Sequence, residues 1–508
     1  MRRTVLAVMM IAAPLAVAVP AHAAGEPAAW AACQQVIGIP LDPAVADCAV
    51  IAVPVDHRRP ADGTVGVVTL RRKATDPSRR IGAVFVNPGG PGTSGLHFAY
   101  RAERFLSAEV LARFDIIGFD PRGVGQSTAL RCFASQEEHD EVLGGRVSVP
   151  VGAEQVDAAL RADRSYTRRC AERAGPLLAH MSTADVARDL DVLRAAAGEP
   201  VMRFVGLSYG TFLGATYANL FPDRTAALVL DGNVDPRLRT ADGLEYDRQR
   251  ADGYEEVLAA FLNACAAAGP ACALAAGGDP AANFAAVRER LRGGPVTLPD
   301  GRQVTLSTFV AQVIDALSAG RLPELAQTVA DLAAGDPAAA ILADAVVLGE
   351  SPYRSDDSAD AVNCLDKPYP PVPSLAPLLA PVWEGRAPTF GRLQAFDGAA
   401  CATWPVRSWE SQRYSGPWNR PTAGRALVVG NRHDPVTQLA FARRMAAALD
   451  RAVLLEVDRF GHTALGLNRC ADVLASAYLI EGTLPAAGSA CPADAPPFPR
   501  RLGERPVT

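Results

Sequence analysis

The chain is poor in charge, in aromatic residues and in long apolar runs. Of its 508 residues 21% are charged and 6% aromatic, while 49% are hydrophobic. That balance excludes a disordered chain and predicts a large packed core. There is no basic excess: the formal charge is −5, so nothing recruits nucleic acid or an acidic membrane surface. Beyond the N-terminal run at 5–19, no segment of about 20 residues is free of charge and proline, and no stable membrane insertion is expected. No C-x2-C spacing or interleaved histidine is present, which leaves zinc the weaker alternative for the cysteines and predicts no metal site. Internal repeats are absent, and the sequence is silent on oligomeric state.

What is present begins with a leader. Arg2 and Arg3 precede an apolar run, and Ala21-His22-Ala23 forms a small-residue cleavage pattern, so residues 1–23 are expected to direct export and to be removed near Ala23. The processed chain then carries a formal charge of −7, with 48 basic against 55 acidic residues once Arg2 and Arg3 are gone. Ten cysteines in an exported chain favour disulfides. They fall as sequence neighbours, and nearest-neighbour pairing is expected: Cys33 with Cys48, Cys132 with Cys170, Cys265 with Cys272, Cys364 with Cys401, and Cys470 with Cys491.

Short β-branched runs at 49–55, 66–70, 83–87, 114–119, 201–206, 227–230, 426–430 and 453–457 alternate with helical stretches. This is the pattern of an α/β protein with one mostly parallel, eight-stranded sheet. Between the sixth and seventh runs, residues 237–422 are alanine-rich and helical, with proline clusters, and read as a large, mainly helical cap insertion. The core is then split into 24–236 and 423–508.

Gly206-Leu207-Ser208-Tyr209-Gly210 follows the fifth strand and opens a helix. A serine on such a strand-to-helix turn is a nucleophile candidate, and the flanking glycines are needed where side chains would meet neighbouring backbone. Serine is a weak nucleophile and needs a base. Of seven histidines, His22 lies in the leader; His57, His97, His139 and His180 precede the serine, and His433 reads as a loop residue. His462, just past the last strand, is the expected base. Asp434, after the seventh strand, is expected to orient it, with Asp231 as competitor or, more plainly, a loop cap. The glycine-rich run 87–92 should supply an oxyanion donor from Gly90 N–H, or failing that Gly89, alongside Tyr209 N–H. The loop 120–127 reads as structural, with Asp120 and Arg122 fixing loops beneath the pocket.

These motifs, with 230–236, 361–366, 434–437 and 461–463, resemble the prolyl-aminopeptidase family of α/β-hydrolases, and most closely its secreted bacterial tripeptidyl aminopeptidases. The resemblance spans nearly the whole processed chain. It implies the α/β-hydrolase fold, no cofactor, and an exopeptidase that takes peptides with a free N-terminus and releases short fragments, tripeptides by analogy. Ser208, Asp434 and His462 take the triad roles. Gln438 stands where relatives often have proline, which touches loop shape and not chemistry. A free α-amine needs a carboxylate in the cap; the candidates are Asp366, then Glu245, Asp356 and Asp357. A secreted carboxylesterase is the rival reading, and a catalytically dead binding protein on the same fold is a second.

Overall fold

The computed structural model describes residues 26–298, 301–335 and 357–498. The expected leader at 1–23 and the candidate Asp356 lie outside them. Strands β1 (Ala46–Pro54), β2 (Thr64–Arg72), β3 (Gly82–Asn87), β4 (Phe114–Phe119), β5 (Met202–Leu207) and β6 (Thr225–Asp231) precede a long helical stretch that carries a small hairpin of β7 (Val296–Thr297) and β8 (Gln303–Val304). Strands β9 (Arg425–His433), β10 (Val453–Phe460) and β11 (Ala490–Cys491) follow. The main sheet runs β1-β2-β4-β3-β5-β6-β9-β10-β11. Its pairs are antiparallel at β1/β2 and β2/β4 and parallel elsewhere.

The central strands are buried on both faces, which explains why they read as continuous apolar runs. Their side chains alternate between two cores. Ala83 and Phe85 of β3, Met202 and Phe204 of β5, and Ala426 and Val428 of β9 join one; Val84 and Val86, Val205 and Leu207, and Leu427 and Val429 join the other. Helices Thr183–Ala196, Tyr209–Leu220 and Leu439–Ala448 cover the first face, and Ala108–Arg113 and Arg469–Glu481 the second.

All eight expected strands are present, lengthened or shifted at their ends by a few residues. The sheet has a ninth, β11, which pairs in parallel with Glu456 and Val457 of β10. Two residues carry no periodicity, so no pattern could announce it. The Cys470–Cys491 disulfide ties it to the last helix. The other four expected pairs are also bonded: Cys33–Cys48, Cys132–Cys170, Cys265–Cys272 and Cys364–Cys401.

Between β6 and β9 the described residues are mainly helical apart from the hairpin, from Pro236–Ala241 and Gly243–Ala268 through Leu306–Ala319 and Leu322–Ala334 to Asp357–Asp366, Leu375–Arg386 and Gly391–Asp397, and residues 404–424 return to β9 without helix. Much of this stretch has its own apolar core, built on Phe261, Phe284, Phe309, Val313 and Leu325. Among the described residues no helix is long and apolar enough to cross a membrane, and no three His, Cys, Asp or Glu side chains group as a metal site.

Candidate active site

Ser208 caps the helix Tyr209–Leu220 at φ 55° and ψ −124°, a region a non-glycine residue occupies only when its surroundings hold it there. The hold comes from both sides. Ser208 N–H donates to Asp231 O at 2.9 Å, and its neighbours leave room for no side chain. A Cβ on Gly206 would lie 2.3 Å from Gly210 O, and one on Gly210 2.7 Å from Asn87 O. The turn is therefore closed by the glycines and by the ends of β3 and β6.

His462 sits in the loop after β10. Its Nδ1 lies 2.9 Å from Asp434 Oδ2 and 3.1 Å from Oδ1. That bond assigns the proton to Nδ1 and leaves Nε2 as the acceptor. Asp434 is fully buried and also accepts from Val436 N–H (2.9 Å), Thr437 N–H (2.8 Å) and Thr437 Oγ (3.0 Å). Burial alone would lower the imidazole's proton affinity, but the Asp434 charge outweighs it and raises the pKa above the ordinary value. The ring packs against Gly232, where a Cβ would come within 2.9 Å of Cε1. Gly232 is the residue after β6, whose Asp231 pairs with Leu207 and bonds Ser208. Histidine and serine thus flank the same strand end. His462 Nε2 has no hydrogen-bond partner among the described residues, so the serine–histidine bond is not formed here, as is common in unliganded sites.

The competitor Asp231 has a different task. It is fully buried, and its Oδ2 accepts the N–H groups of Ala464 at 2.7 Å and Leu465 at 2.9 Å. Burial pushes its pKa up to about 6, against the pull of those two N–H groups. Asn431 Nδ2 donates to the carbonyls of Gly461 (2.7 Å) and Thr463 (2.6 Å), and His462 N–H donates to Ser318 O at 2.7 Å. Together these fix the loop around His462, including Thr463 at φ 62°.

The loop after β3 covers the serine. A Cβ on Gly89 would lie 2.6 Å from Leu207 O and 2.8 Å from Ser208 Cβ, so only glycine fits. Gly89 N–H is taken by Asn87 Oδ1 at 3.0 Å, whereas the N–H groups of Gly90 and Tyr209 have no acceptor among the described residues. Beneath the site, Asp120 accepts from Ser94 Oγ at 2.5 Å and Gln126 N–H at 2.8 Å. Arg122, with no exposed surface, donates to Asp189 and to the carbonyls of Pro54, Val55 and His180.

The cap carboxylates fare unevenly. Asp366 is buried, 1% exposed, and accepts from Thr183 N–H at 3.1 Å and Thr183 Oγ at 2.6 Å; Thr183 Oγ in turn meets Tyr209 OH. Burial pushes Asp366 up to about 6, with the nearby Arg239 charge acting against it. Glu245 is clamped by Arg248 and Gln249, and the Arg248 hydrogen bonds hold its carboxyl down at about 2. Asp357 is buried and accepts Cys132 N–H. None of the three is a free carboxylate.

A buried charged cluster was not foreseen. Lys367 Nζ lies 3.0 Å from Asp247 and 3.7 Å from Asp397, and Arg250 lies 3.2 Å from Asp397. Lys367 and Asp247 are almost fully buried, but the Asp397 side chain is 38% exposed. Burial would raise the Asp397 pKa; the Lys367 and Arg250 charges bring it below the ordinary value. Arg250 is also close enough to His462 to oppose its protonation. Asp397 sits in a run, Phe396-Asp397-Gly398, that reads as an ordinary helix end, so no sequence signal marked it.

A strained serine at a strand-to-helix turn, with a His–Asp pair on the loops that follow, defines a serine hydrolase of the α/β-hydrolase fold. Family models agree. A TAP-like protein model matches residues 387–491, and an α/β-hydrolase fold model matches 82–272. Serine protease Hip1 of Mycobacterium tuberculosis is 33% identical over 494 residues, covering 92% of this chain and 91% of that one. Carboxylesterase B of the same species is 32% identical, covering 91% and 89%. A tripeptidyl aminopeptidase of Streptomyces coelicolor is 40% identical over 194 residues, covering 37% and 35%. The chain belongs to the TAP-like family of α/β-hydrolases.

Proposed function

We propose that the chain is a secreted serine exopeptidase that releases short peptides, tripeptides by analogy, from free N-termini. The observation that supports its serine chemistry is the His462–Asp434 pair set against the strand end that also holds Ser208. His462 Nε2 takes the Ser208 proton as Oγ attacks the substrate carbonyl. Gly90 and Tyr209 N–H groups receive the oxyanion. The imidazolium, stabilised by Asp434, gives its proton to the leaving amine, and water attacks the acyl-enzyme by the same route in reverse roles.

For the substrate's α-amine the reading favours Asp397. Its side chain stays 38% exposed although Arg250 and Lys367 pair with its carboxylate, and the Arg250 charge also acts on His462. Relatives named for proteolysis and for tripeptide release support peptides as substrates. Export is supported by five disulfides and by the leader pattern at 1–23.

The similarity to a protein named carboxylesterase B favours ester hydrolysis as the second reading. Tripeptide p-nitroanilides with free and acetylated N-termini, assayed beside p-nitrophenyl esters, separate the two. Fast turnover of the free-amine anilide alone is expected. Turnover of esters only, or equal turnover of blocked and free anilides, rules the exopeptidase out. Asp397→Asn is expected to raise KM for the free-amine anilide about tenfold, the loss of roughly one charge-assisted contact, with ester hydrolysis unchanged.

A further inference from the structure

Two arginines that face one groove, Arg237 and Arg413, form no ion pair among the described residues. The segment returning to β9 passes the helix Pro236–Ala241, and between them lies an open pocket of about 670 Å³ lined by Arg237, Thr240, Arg413, Ser415, Trp418 and Asn419. Arg413 is held in place by its Nη1, which donates to Thr240 O at 2.6 Å and Asp366 O at 3.2 Å. Its Nε and Nη2, and the whole Arg237 guanidinium, have no acceptor among the described residues. Trp418 is 4% exposed, and its Nε1 is a buried donor without a partner, next to Gly416 on the pocket wall.

No carboxylate lines the groove, and the acids nearest in the chain are spent. Asp235 is paired with Arg444 at 2.8 Å, Asp242 accepts Glu245 N–H at 3.0 Å, and Asp366 is bonded to Thr183. A half-buried guanidinium with unspent donors and a second, exposed guanidinium make the groove cationic, with no carboxylate on its wall. Such a surface matches an anion, and arginine's planar fork suits carboxylate and phosphate alike.

We propose that this groove is an anion-binding subsite at the seam between the core and the helical stretch, taking a carboxylate or phosphate group. It is tied to the site by covalent and hydrogen-bonded links: Arg413 holds the Asp366 carbonyl, and the Asp366 side chain reaches Tyr209 through Thr183. The subsite stands whether the enzyme cleaves peptides or esters.

The test uses the full disulfide-bonded chain carrying Ser208→Ala, so that no probe is consumed. Inorganic phosphate and the blocked dipeptide N-acetyl-Glu-Glu are each titrated by calorimetry, with Arg237→Gln and Arg413→Gln compared. Saturable binding of at least one probe is expected, weakened about tenfold by either substitution, the loss of one charge-assisted contact. Equal binding of both probes means a free-anion site, and binding of the dipeptide alone means a site for peptide carboxylates. Arg237 is exposed, so Arg237→Gln carries the test if Arg413→Gln does not fold. Absence of saturable binding for both probes, or unchanged affinity in Arg237→Gln, overturns the proposal.

Discussion

Two buried aspartates stand near one histidine, and their hydrogen bonds separate their tasks. Asp434 faces the His462 ring, whereas Asp231 faces the backbone of the loop beyond it. Asp434→Asn should place the wrong tautomer on His462 and lower kcat about 10⁴-fold. Asp231→Asn can still accept both N–H groups through its amide oxygen, and should cost less than about tenfold in kcat. Steady-state kinetics of the two variants decide the assignment; a larger loss at Asp231 would reverse it. The proposed mechanism uses His462 in its neutral form, and its pKa is raised. The acid limb of kcat/KM should therefore have its midpoint above the ordinary histidine value of about 6.5. Asp231 titrates at about 6 when folded, above its unfolded value, so its contribution to stability is full below about pH 4 and is lost as pH rises through 6. Wild-type stability relative to Asp231→Asn should fall by about 2–3 kcal/mol from pH 4 to pH 8, measured by urea unfolding.

At the scale of elements, what could be read from the sequence and what could not divide along physical lines. The strands and the elbow were readable because both depend on local patterns. Alternate side chains feed two cores, and glycines appear where backbone approaches leave no room for a Cβ. Ser208, Asp434 and His462 could be picked as candidates because each stands just past a strand that the pattern marks. Strand β11 was hidden by its length, and the roles of Glu245, Asp366 and Asp397 by the fact that through-space partners decide them: Arg248 for one, Thr183 for another, Lys367 and Arg250 for the third. Gln438 shows the same limit. Its amide donates to Gln249 O at 2.9 Å, and its side chain fills the space beside Gly253, so the residue after the Asp434 turn latches that turn to the long helix Gly243–Ala268. Arg122 is the clearest element-level test. Arg122→Ala leaves Asp189 buried without its partner and should cost about 3–5 kcal/mol, read from urea denaturation; a loss under about 1 kcal/mol would show that the loop 120–127 does not hold β1 and the helix Thr183–Ala196 together.

Across the whole molecule, two disulfides close long loops outside the main sheet. Cys132–Cys170 and Cys364–Cys401 span 38 and 37 residues, and loops of that length predict about 3–4 kcal/mol each from chain entropy. Reduction should therefore lower the unfolding temperature markedly, and an unchanged transition would show that these bonds add nothing to stability. The helical stretch meets the candidate site's loops at three points: Ser318 O accepts His462 N–H, Gln249 O accepts the Gln438 amide, and Ala359 lies against Gly92. The most direct measurement is mass analysis over time of a defined ten-residue peptide with the wild-type chain and with Ser208→Ala. Successive loss of short fragments from the free N-terminus is expected, with no cleavage of the acetylated peptide and none by Ser208→Ala. Internal cuts, equal attack on the acetylated peptide, or undiminished activity in Ser208→Ala would contradict the proposed mechanism.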